Sequence, residues 1–357
     1  MKKLCICCLI ATVLLVACKK TDSTNNSVDS NALKKEVVTD FVNKVALSGY
    51  AELEARAGIL NTAIISLNTN TTNANLTAAK NAWKEMRSTW EKCEGFLFGP
   101  VSVDEHDPET DTWPVNYVDL DALLSSSNPL TVASIEALTS RALKGYHPIE
   151  YILWGEGGIR TAASLTARQK QYVVSLSAAL KTQAEQLYNS WIPSGGNYAN
   201  KVLTTANGST EFVHYKDFYT ILLDEGLLAI CKEVGDGKMK EPFDAQDPQI
   251  VESPFSGNSL TDFHNNIIGA YNVYLGRFNE DGKGLNDLVN AKNLALDNEI
   301  KQKFEAAIAS FSTITVPFEQ AIISQRVQCQ AVMAKINDLA ATLDGSLRNF
   351  IVTNITD

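Results

Sequence analysis

Residues 260–278 read LTDFHNNIIGAYNVYLGRF, and their apolar side chains recur every three or four positions. The apolar positions are Leu260, Phe263, Ile267, Tyr271, Tyr274 and Phe278. This period places them on one face of an α-helix. The same period returns over residues 38–64, 300–311 and 322–343, and we find no run of strict alternation that would indicate a strand. Helices with one apolar face bury it against each other, so the sequence predicts an all-α protein made of helical bundles.

The strongest break in the helical pattern is Ile-Pro-Ser-Gly-Gly-Asn at residues 192–197. Proline and glycine interrupt regular structure, so this segment is the best candidate for a domain boundary. We predict two helical domains of similar size, residues 33–196 and residues 197–357. Each has room for about four helices and is expected to resemble a four-helix bundle. Other breaks are expected at residues 67–75, 95–114, 155–163 and 235–258.

The N-terminus begins with two lysines, continues with apolar residues 4–17 and reaches Cys18 after Leu-Val-Ala. A charged segment before an apolar one too short to span a bilayer indicates an export signal. Small residues before a cysteine resemble the lipobox of bacterial lipoproteins. We therefore expect a signal peptide at residues 1–17, a lipid on Cys18 that anchors the chain at the outer membrane of the bacterial cell envelope, and a flexible tether at residues 18–32. An ordinary signal peptide or an uncleaved anchor is the alternative.

The composition bounds the class of partner. The chain has a formal charge of -10, and removal of residues 1–17 with their two lysines would make it more negative. An acidic protein without a basic run does not suit nucleic acid, so we expect no such partner. Beyond the signal, cysteine occurs at positions 93, 231 and 329, and this spacing demands no disulfide. Cys329 lies on an apolar helical face and is predicted to be a core residue.

His147 and Glu150 lie three positions apart in Gly-Tyr-His-Pro-Ile-Glu at residues 145–150. On a helix this spacing puts both side chains on one face, where an imidazole and a carboxylate form half of a metal site. Pro148 suits the first turn of a helix. The structural alternative makes His147 a capping or packed residue and Glu150 a helix-start residue favoured by the dipole. Spacing leaves both explanations open, because two ligands are too few.

Trp83, Arg87, Trp90 and Glu94 follow one stripe of a predicted helix, with the charged residues interrupting two indoles. Charges in an apolar stripe need partners, so Arg87 is expected to reach Glu91 or Glu94. A binding site and an internal ion pair that fixes the helix register explain this stripe equally well.

A long loop with Glu252 and Ser256 leads into the helix of residues 260–278. Ser259 is expected to be the N-cap of that helix, with Asp262 at the third helical position, close to a capping box. Capping explains Ser259 and Asp262 but leaves Glu252 and Ser256 without a structural reason.

Several catalytic signatures are absent from the sequence. It has no His-Glu-x-x-His helix, no Gly-x-Ser-x-Gly elbow and no phosphate-binding Gly-x-x-x-x-Gly-Lys loop. Histidine occurs only at positions 106, 147, 214 and 264, which excludes a metal site made mainly of histidines.

Together these segments resemble the imelysin family, also described as insulin-cleaving membrane protease-like or M75-type proteins. The match runs from about residue 35 to residue 345 and includes the family's G-x-H-x-x-E element, its Trp…Arg…Glu helix and its E-S-x-[YF]-S segment. The candidate metal- or ligand-binding residues that the resemblance implies are Trp83, Arg87, Glu94, Gly145, His147, Glu150, Glu252, Ser253 and Ser256. We predict that the stripe around Arg87 lies beside His147, with residues 252–256 closing over both.

The resemblance implies an all-helical protein of two related domains, an envelope location and a connection to iron uptake, with other iron-uptake proteins as partners. Our hypothesis is a non-enzymatic lipoprotein that binds iron, another divalent metal or an iron-bearing ligand. The alternative is a metallopeptidase with His147 and Glu150 as ligands. A third hypothesis is a structural or adhesive lipoprotein without a ligand. A zinc peptidase needs a third ligand, which His106, His214, His264 or an acid would have to supply, and a separate base.

Overall fold

A computed structural model describes residues 30–356, and within that range the regular structure is entirely helical. The prediction of an all-α protein is therefore confirmed. Helix begins at Ser30, slightly before the expected start near Leu33. The predicted signal peptide, the lipidated Cys18 and most of the tether lie outside the described residues, so these expectations stay predictions.

The first part of the described chain contains nine α-helices. They are α1 (Ser30–Asp40), α2 (Leu47–Thr69), α3 (Asn73–Cys93), α4 (Pro100–Val103), α5 (His106–Thr110), α6 (Tyr117–Ser125), α7 (Val132–Glu136), α8 (Tyr146–Trp154) and α9 (Ala167–Trp191). A π-helical turn at Phe41–Ala46 joins α1 to α2. Short 3-10 turns lie at Glu94–Phe96, Arg141–Leu143, Glu156–Gly158 and Ala162–Ser164.

The second part of the described chain contains ten α-helices. They are α10 (Tyr198–Leu203), α11 (Tyr215–Ile221), α12 (Leu228–Lys232), α13 (Lys240–Ala245), α14 (Ser259–Leu275), α15 (Leu285–Lys292), α16 (Leu294–Ser310), α17 (Phe318–Ser324), α18 (Arg326–Thr342) and α19 (Arg348–Asn354). π-Helical segments lie at Leu222–Leu227, Glu233–Lys238 and Leu343–Leu347, and a 3-10 turn at Phe311–Thr313 follows α16.

The amphipathic stretch at residues 260–278 forms α14, but the helix ends before the pattern does. The stripe residues that are fully buried are Phe263, Ile267 and Tyr274. Gly276 stops the helix because its φ of +69° is left-handed, and a Cβ there would lie 2.2 Å from the carbonyl oxygen of Lys283. Phe278, which we predicted on the same helical face, therefore lies beyond the helix and is partly buried against the core.

The helices pack into one connected set. α2 lies along α3 and α9, α8 contacts the same two helices, and α16 lies along α18. α14, from the second part of the chain, lies along α3. Two glycines allow this crossing, because a Cβ on Gly269 would lie 2.3 Å from the Lys92 carbonyl oxygen and one on Gly95 would lie 2.9 Å from Gly269. Whether residues 33–196 and 197–357 fold as separate domains stays a prediction.

Within residues 30–356, no single helix combines the length and the apolar composition needed to cross a membrane. The segments Leu294–Thr313 and Phe318–Ser324 reach both criteria only as a pair, and they are bent by 83° where they meet. The three cysteines of this range, Cys93, Cys231 and Cys329, are free and buried, as predicted for Cys329.

Candidate functional site

The inward stripe of α3 forms one wall of the candidate site. Trp83, Arg87, Trp90 and Glu94 are all buried, as expected for a face that packs on neighbouring helices. The Trp83 indole Nε1 donates a hydrogen bond of 3.0 Å to the backbone oxygen of Tyr146, which fixes the start of α8 against α3. The tryptophan therefore positions the helix that carries His147.

Arg87 is the central cation of the site and is fully buried. Its guanidinium forms ion pairs with Glu91, Asp111 and Glu252, the last at 2.9 Å. It also lies 5.0 Å from the centroid of the Tyr146 ring. Burial would lower the pKa of Arg87, but the surrounding carboxylates, Asp111 foremost, outweigh burial and raise it. Of the two partners expected from the sequence, Glu91 is correct, whereas Glu94 pairs with another cation.

The position of α8 depends on Gly145, which precedes the helix with a φ of +81°. A Cβ at this position would lie 1.9 Å from the Thr110 carbonyl oxygen. Glycine therefore lets the end of α5 and the start of α8 approach closely. This approach places His147 beside Asp111, with 3.0 Å between the imidazole Nε2 and the carboxylate Oδ1. Pro148 lies in the first turn, as predicted.

His147 is buried and has two acidic neighbours. Its Nε2 contacts Asp111, and its Nδ1 lies 3.7 Å from the Glu150 Oε2. Burial lowers the pKa of His147, but the hydrogen bond to Asp111 and the nearby Glu150 carboxylate outweigh it and raise the pKa to about 9. The Nδ1 atom itself has no hydrogen-bond partner. The imidazole is thus held by one nitrogen and leaves the other for Glu150 or a ligand.

Glu150 ties α8 to the loop before α14. Its Oε1 accepts hydrogen bonds from the backbone N–H groups of Phe255 and Ser256, at 3.2 and 2.7 Å, and from the Ser256 hydroxyl at 2.6 Å. Its Oε2 is buried without a hydrogen-bond partner. Glu150 lies beyond the first turn of α8, so the helix-start explanation from the sequence is wrong. The carboxylate instead holds a distant loop, which the predicted closure of residues 252–256 required.

The predicted N-cap of α14 is also wrong. Asn258 is the N-cap, and Ser259 is the first helical residue. The Ser259 hydroxyl is engaged elsewhere, because it accepts a hydrogen bond of 2.9 Å from the Ser253 N–H and donates one of 3.0 Å to Glu319. The Ser253 hydroxyl donates to Asp262 at 2.7 Å. These bonds fasten the loop of Glu252 to α14.

Five residues of this cluster were not predicted as site residues, namely Glu91, which the sequence offered only as a partner of Arg87, and Asp111, Lys238, Asp262 and Asn266. Asp111 binds Arg87, His147 and the Trp90 Nε1, the last at 2.7 Å. Burial would raise the pKa of Asp111, but Arg87 outweighs burial and holds this pKa well below its usual range. Asp111 lies in the segment 95–114, where the sequence indicated only a break, so no local signal identified it.

Lys238 is the second central cation, with a side chain only 1% exposed. Its Nζ lies 2.8 Å from Glu94 Oε2, 2.9 Å from Glu252 Oε1 and 3.7 Å from Glu91 Oε2. Asn266 donates to Glu91 and Glu94 at 2.6 Å each. Burial nevertheless raises the pKa of Glu91 to about 7 and that of Glu94 well above its usual value.

The cluster therefore has more acid than base. Six buried carboxyl groups face three cationic side chains, Arg87, His147 and Lys238. The carboxyl groups are Glu91, Glu94, Asp111, Glu150, Glu252 and Asp262. Such an excess of buried negative charge favours protonation or the arrival of another cation.

Two neighbouring spaces share part of their lining, and one of them borders the cluster. A small inner void is lined by His147 and Glu252, together with Trp113 and other residues of the loops around it. An outer cleft of about 350 Å³ has three carboxylates in its lining, Asp121, Glu156 and Glu319. The side chains that line both spaces are Tyr117, Gln249, Pro254 and Phe255. These four residues form the wall between the cleft and the void.

Two groups of carboxylates lie close enough together to hold a metal ion, and Arg87 is ion-paired with all three acids of the first group. Glu91, Asp111 and Glu252 each offer a carboxylate oxygen, and these oxygens lie within 4.8 Å of one another; Glu94, Asp107 and Asp111 form a second such group. Oxygen donors with one imidazole suit hard or borderline ions, including iron and manganese. Asp111 orients His147 through Nε2, as acidic neighbours orient many metal-binding histidines.

The other histidines lie elsewhere. His106 shares a hydrogen bond of 2.8 Å with Gln183, and His264 lies with its ring 5.5 Å from that of Phe311. The backbone N–H of His214 is bonded to Asp217 at the start of α11. The sequence left open whether another histidine or an acid would accompany His147. The structure places an acid, Asp111, against it.

In the described residues the fold is all-helical, and a His-x-x-Glu helix faces a buried network of acidic and basic side chains. These are the features that the imelysin family led us to expect. The chain belongs to the imelysin family, because the family model described as Imelysin, with the label Peptidase M75, matches residues 46–345. The resemblance found in the sequence is therefore confirmed.

Related proteins agree with this assignment. The chain is 28% identical over 344 residues to iron-regulated protein A of Synechococcus elongatus, covering 95% of this chain and 89% of that protein. Its fold is similar to the crystal structure of a proposed iron-regulated protein A precursor from Parabacteroides distasonis, with a TM-score of 0.81, 23% identity, and coverage of 88% and 94% of the two chains. An imelysin-like protein from Psychrobacter arcticum has a TM-score of 0.74 at 14% identity, with coverage of 90% and 96%.

Proposed function

We propose that this chain is a non-enzymatic, envelope-anchored protein that binds iron, as the ion or within an iron-bearing ligand, for bacterial iron uptake. One observation carries the proposal. The Nδ1 of His147 and the Oε2 of Glu150 are buried, have no hydrogen-bond partner, and lie 3.7 Å apart. Buried polar atoms almost always have a hydrogen-bond partner, so two adjacent atoms without one indicate a ligand.

The neighbours of this pair support a metal as that ligand. Asp111 engages the Nε2 of His147 at 3.0 Å, so Nδ1 would bind the ion after the imidazolium releases its Nδ1 proton to solvent. Glu252 lines the inner void together with His147, and its Oε2 is also buried and unbonded. We therefore assign His147, Glu150 and Glu252 as the metal-binding residues, with Asp111 orienting the imidazole.

The charge of the site supports iron over a neutral ligand. Six carboxyl groups surround three cationic side chains, and a divalent or trivalent cation would replace the protons that the raised pKa values of Glu91, Glu94 and Asp262 let these acids keep. The outer cleft adds Asp121, Glu156 and Glu319 along the approach. Acidic side chains at the entrance raise the local concentration of cations.

The relatives make iron the first ion to test. Two of the similar proteins carry the description iron-regulated protein A. The expected lipid on Cys18 would hold such a protein at the envelope, where iron enters the cell, and would leave other iron-uptake proteins within reach as partners.

The contacts favour binding over peptide hydrolysis. A zinc peptidase needs a carboxylate that is free to act as a general base. Glu91, Asp111 and Glu252 are each bonded to Arg87, and Glu150 is bonded to the loop at Phe255 and Ser256. These contacts hold one oxygen of Glu150 and one of Glu252, and the proposed ion would take the other, so neither carboxylate is free to act as a base.

The test is a binding measurement with purified, metal-free protein. Isothermal titration with ferrous iron under anaerobic conditions, and with ferric citrate in air, should show binding to the wild type. His147→Ala and Glu150→Gln should each weaken it by roughly 10- to 100-fold or more, the loss typical for metal-site residues. His264→Ala is the matched control, because His264 is a half-buried histidine that packs edge-on against Phe311. Absence of binding by the wild type, or equal affinities of the His147 and His264 variants, would refute the proposal.

A further inference from the structure

Lys238 occupies a cage of carboxylates in the middle of the protein. Its ammonium lies 2.8 Å from Glu94, 2.9 Å from Glu252 and 3.7 Å from Glu91. The side chain is 1% exposed, and Glu91 and Glu252 are fully buried. A lysine is rarely buried so deeply unless acids surround it. An amine is thus the resident cation at a position built of metal-type oxygen donors.

The carboxylates of the cage overlap with those assigned to the metal. Glu252 Oε1 accepts from both Lys238 and Arg87, whereas its Oε2 is unbonded. Glu91 and Glu252 belong to the group whose oxygens lie within 4.8 Å of one another. An ion bound through Glu252 would compete with the ammonium for the same negative charge.

We infer that the Lys238 ammonium is a tethered substitute for the captured cation, and that metal binding displaces it from the carboxylate cage. The inference rests on the proposed function, because it concerns the same site. It makes Lys238 a residue that sets metal affinity without being a ligand. An ion of low charge would not balance the loss of the lysine contacts, so the cage selects ions of higher charge.

The local structure provides a route for the displaced side chain. Lys238 ends the π-helical segment Glu233–Lys238, and such segments are frequent at functional sites. Glu233 lies 3.5 Å from the Lys238 Nζ, and its side chain is 42% exposed. Gly237 has open space where a Cβ would stand. The ammonium can therefore leave Glu94 and Glu252, keep Glu233 as partner and reach solvent.

The first test compares metal affinities by titration calorimetry with ferrous iron. Lys238→Met should bind more tightly than the wild type, by roughly 5- to 150-fold, the range of typical coupling between two binding events. Lys240→Met is the matched control, since Lys240 is exposed and pairs only with Asp244, and its affinity should not change.

The second test needs no variant. Acetylation of the wild-type protein with acetic anhydride, read by peptide mass spectrometry, should leave Lys238 unmodified without metal and modify it after loading with ferrous iron. Lys240 should react equally in both states. This measurement decides the question even if Lys238→Met fails to fold.

The outcomes separate the two proposals. If the wild type binds iron, but Lys238→Met binds no tighter and Lys238 stays protected, the displacement is refuted and the proposed function stands. If neither the wild type nor Lys238→Met binds iron, both fail. Tighter binding together with exposure of Lys238 supports both.

Discussion

Replacement of Arg87 by methionine is expected to destabilise the protein strongly. The guanidinium is fully buried and forms ion pairs with Glu91, Asp111 and Glu252. Methionine would fill most of the volume of the aliphatic stem but would leave these carboxylates without their shared cation. Removal of one partner from a buried ion pair costs about 3–5 kcal/mol, because an uncompensated charge stays buried.

A matched surface change shows how much of this effect depends on burial. Arg277 pairs with Asp281 at 3.8 Å, and their side chains are 42% and 90% exposed. Loss of such an exposed pair costs about 0–1 kcal/mol. Arg277→Met should therefore leave the free energy of unfolding nearly unchanged, whereas Arg87→Met should lower it by about 3 kcal/mol or more.

The effect should also depend on pH. Burial raises the pKa of Glu91 to about 7, even though Arg87 lowers it. A carboxyl group whose pKa is higher in the folded state lowers the free energy of unfolding as pH rises from its unfolded pKa to its folded pKa. Loss of Arg87 would raise the folded pKa of Glu91 further. The destabilisation by Arg87→Met should thus be larger at pH 8 than at pH 5, where Glu91 is protonated in both proteins.

Urea unfolding followed by circular dichroism at pH 5 and pH 8 measures both quantities. The reasoning is refuted if Arg87→Met is no less stable than Arg277→Met, or if its deficit is the same at the two pH values. A deficit that grows with pH would indicate that uncompensated carboxylate charge, rather than lost packing, causes the instability.

Three further predictions concern other parts of the chain. Because the pKa of His147 is raised in the folded state, its imidazolium should contribute at most about 3 kcal/mol to the free energy of unfolding below pH 6.5. This contribution should be lost as pH rises through about 9. Identical pH profiles of the wild type and His147→Gln would contradict this. Lipid should be found on Cys18 by mass spectrometry, and membrane partitioning that persists in Cys18→Ser would refute the anchor. Metal-loaded protein should not cleave insulin chains; cleavage that disappears in the His147→Ala/Glu150→Ala double variant and with chelator would support the peptidase alternative.

The helices could be predicted from the sequence because their signal is local. The period of Phe263, Ile267 and Tyr274 is a property of neighbouring turns, and all three are buried. The predicted extension of the α14 stripe to Phe278 was wrong, because Gly276 adopts the left-handed conformation that ends the helix, a signal that the apolar period does not contain. The prediction of Ser259 as the N-cap of α14 failed because of contacts outside the helix. Ser259 has the right side chain for an N-cap, but its hydroxyl forms hydrogen bonds with Ser253 and Glu319.

Residue spacing predicted the site only where its members share a helix, whereas Glu252, Ser253 and Ser256 of the loop were predicted from the family resemblance. His147 and Glu150 were identified by spacing on α8, and Arg87 and Glu91 by spacing on α3. Asp111 and Lys238 gave no such signal, because their partners come from other elements. Lys238 bonds Glu94 across 144 positions of sequence, a relation that periodicity does not contain.

The charge network does more than line a site, because it joins distant parts of the chain. Arg87 bonds Glu252 across 165 positions, and Glu150 bonds Ser256 across 106. Acids outnumber bases in this network, so the same carboxylates that hold the helices together also repel each other. A bound cation would relieve that repulsion and stabilise the folded state by mass action. The same residues would then determine both the free energy of unfolding and the affinity for the metal. A rise in the unfolding temperature with added iron would be evidence that binding stabilises the folded state.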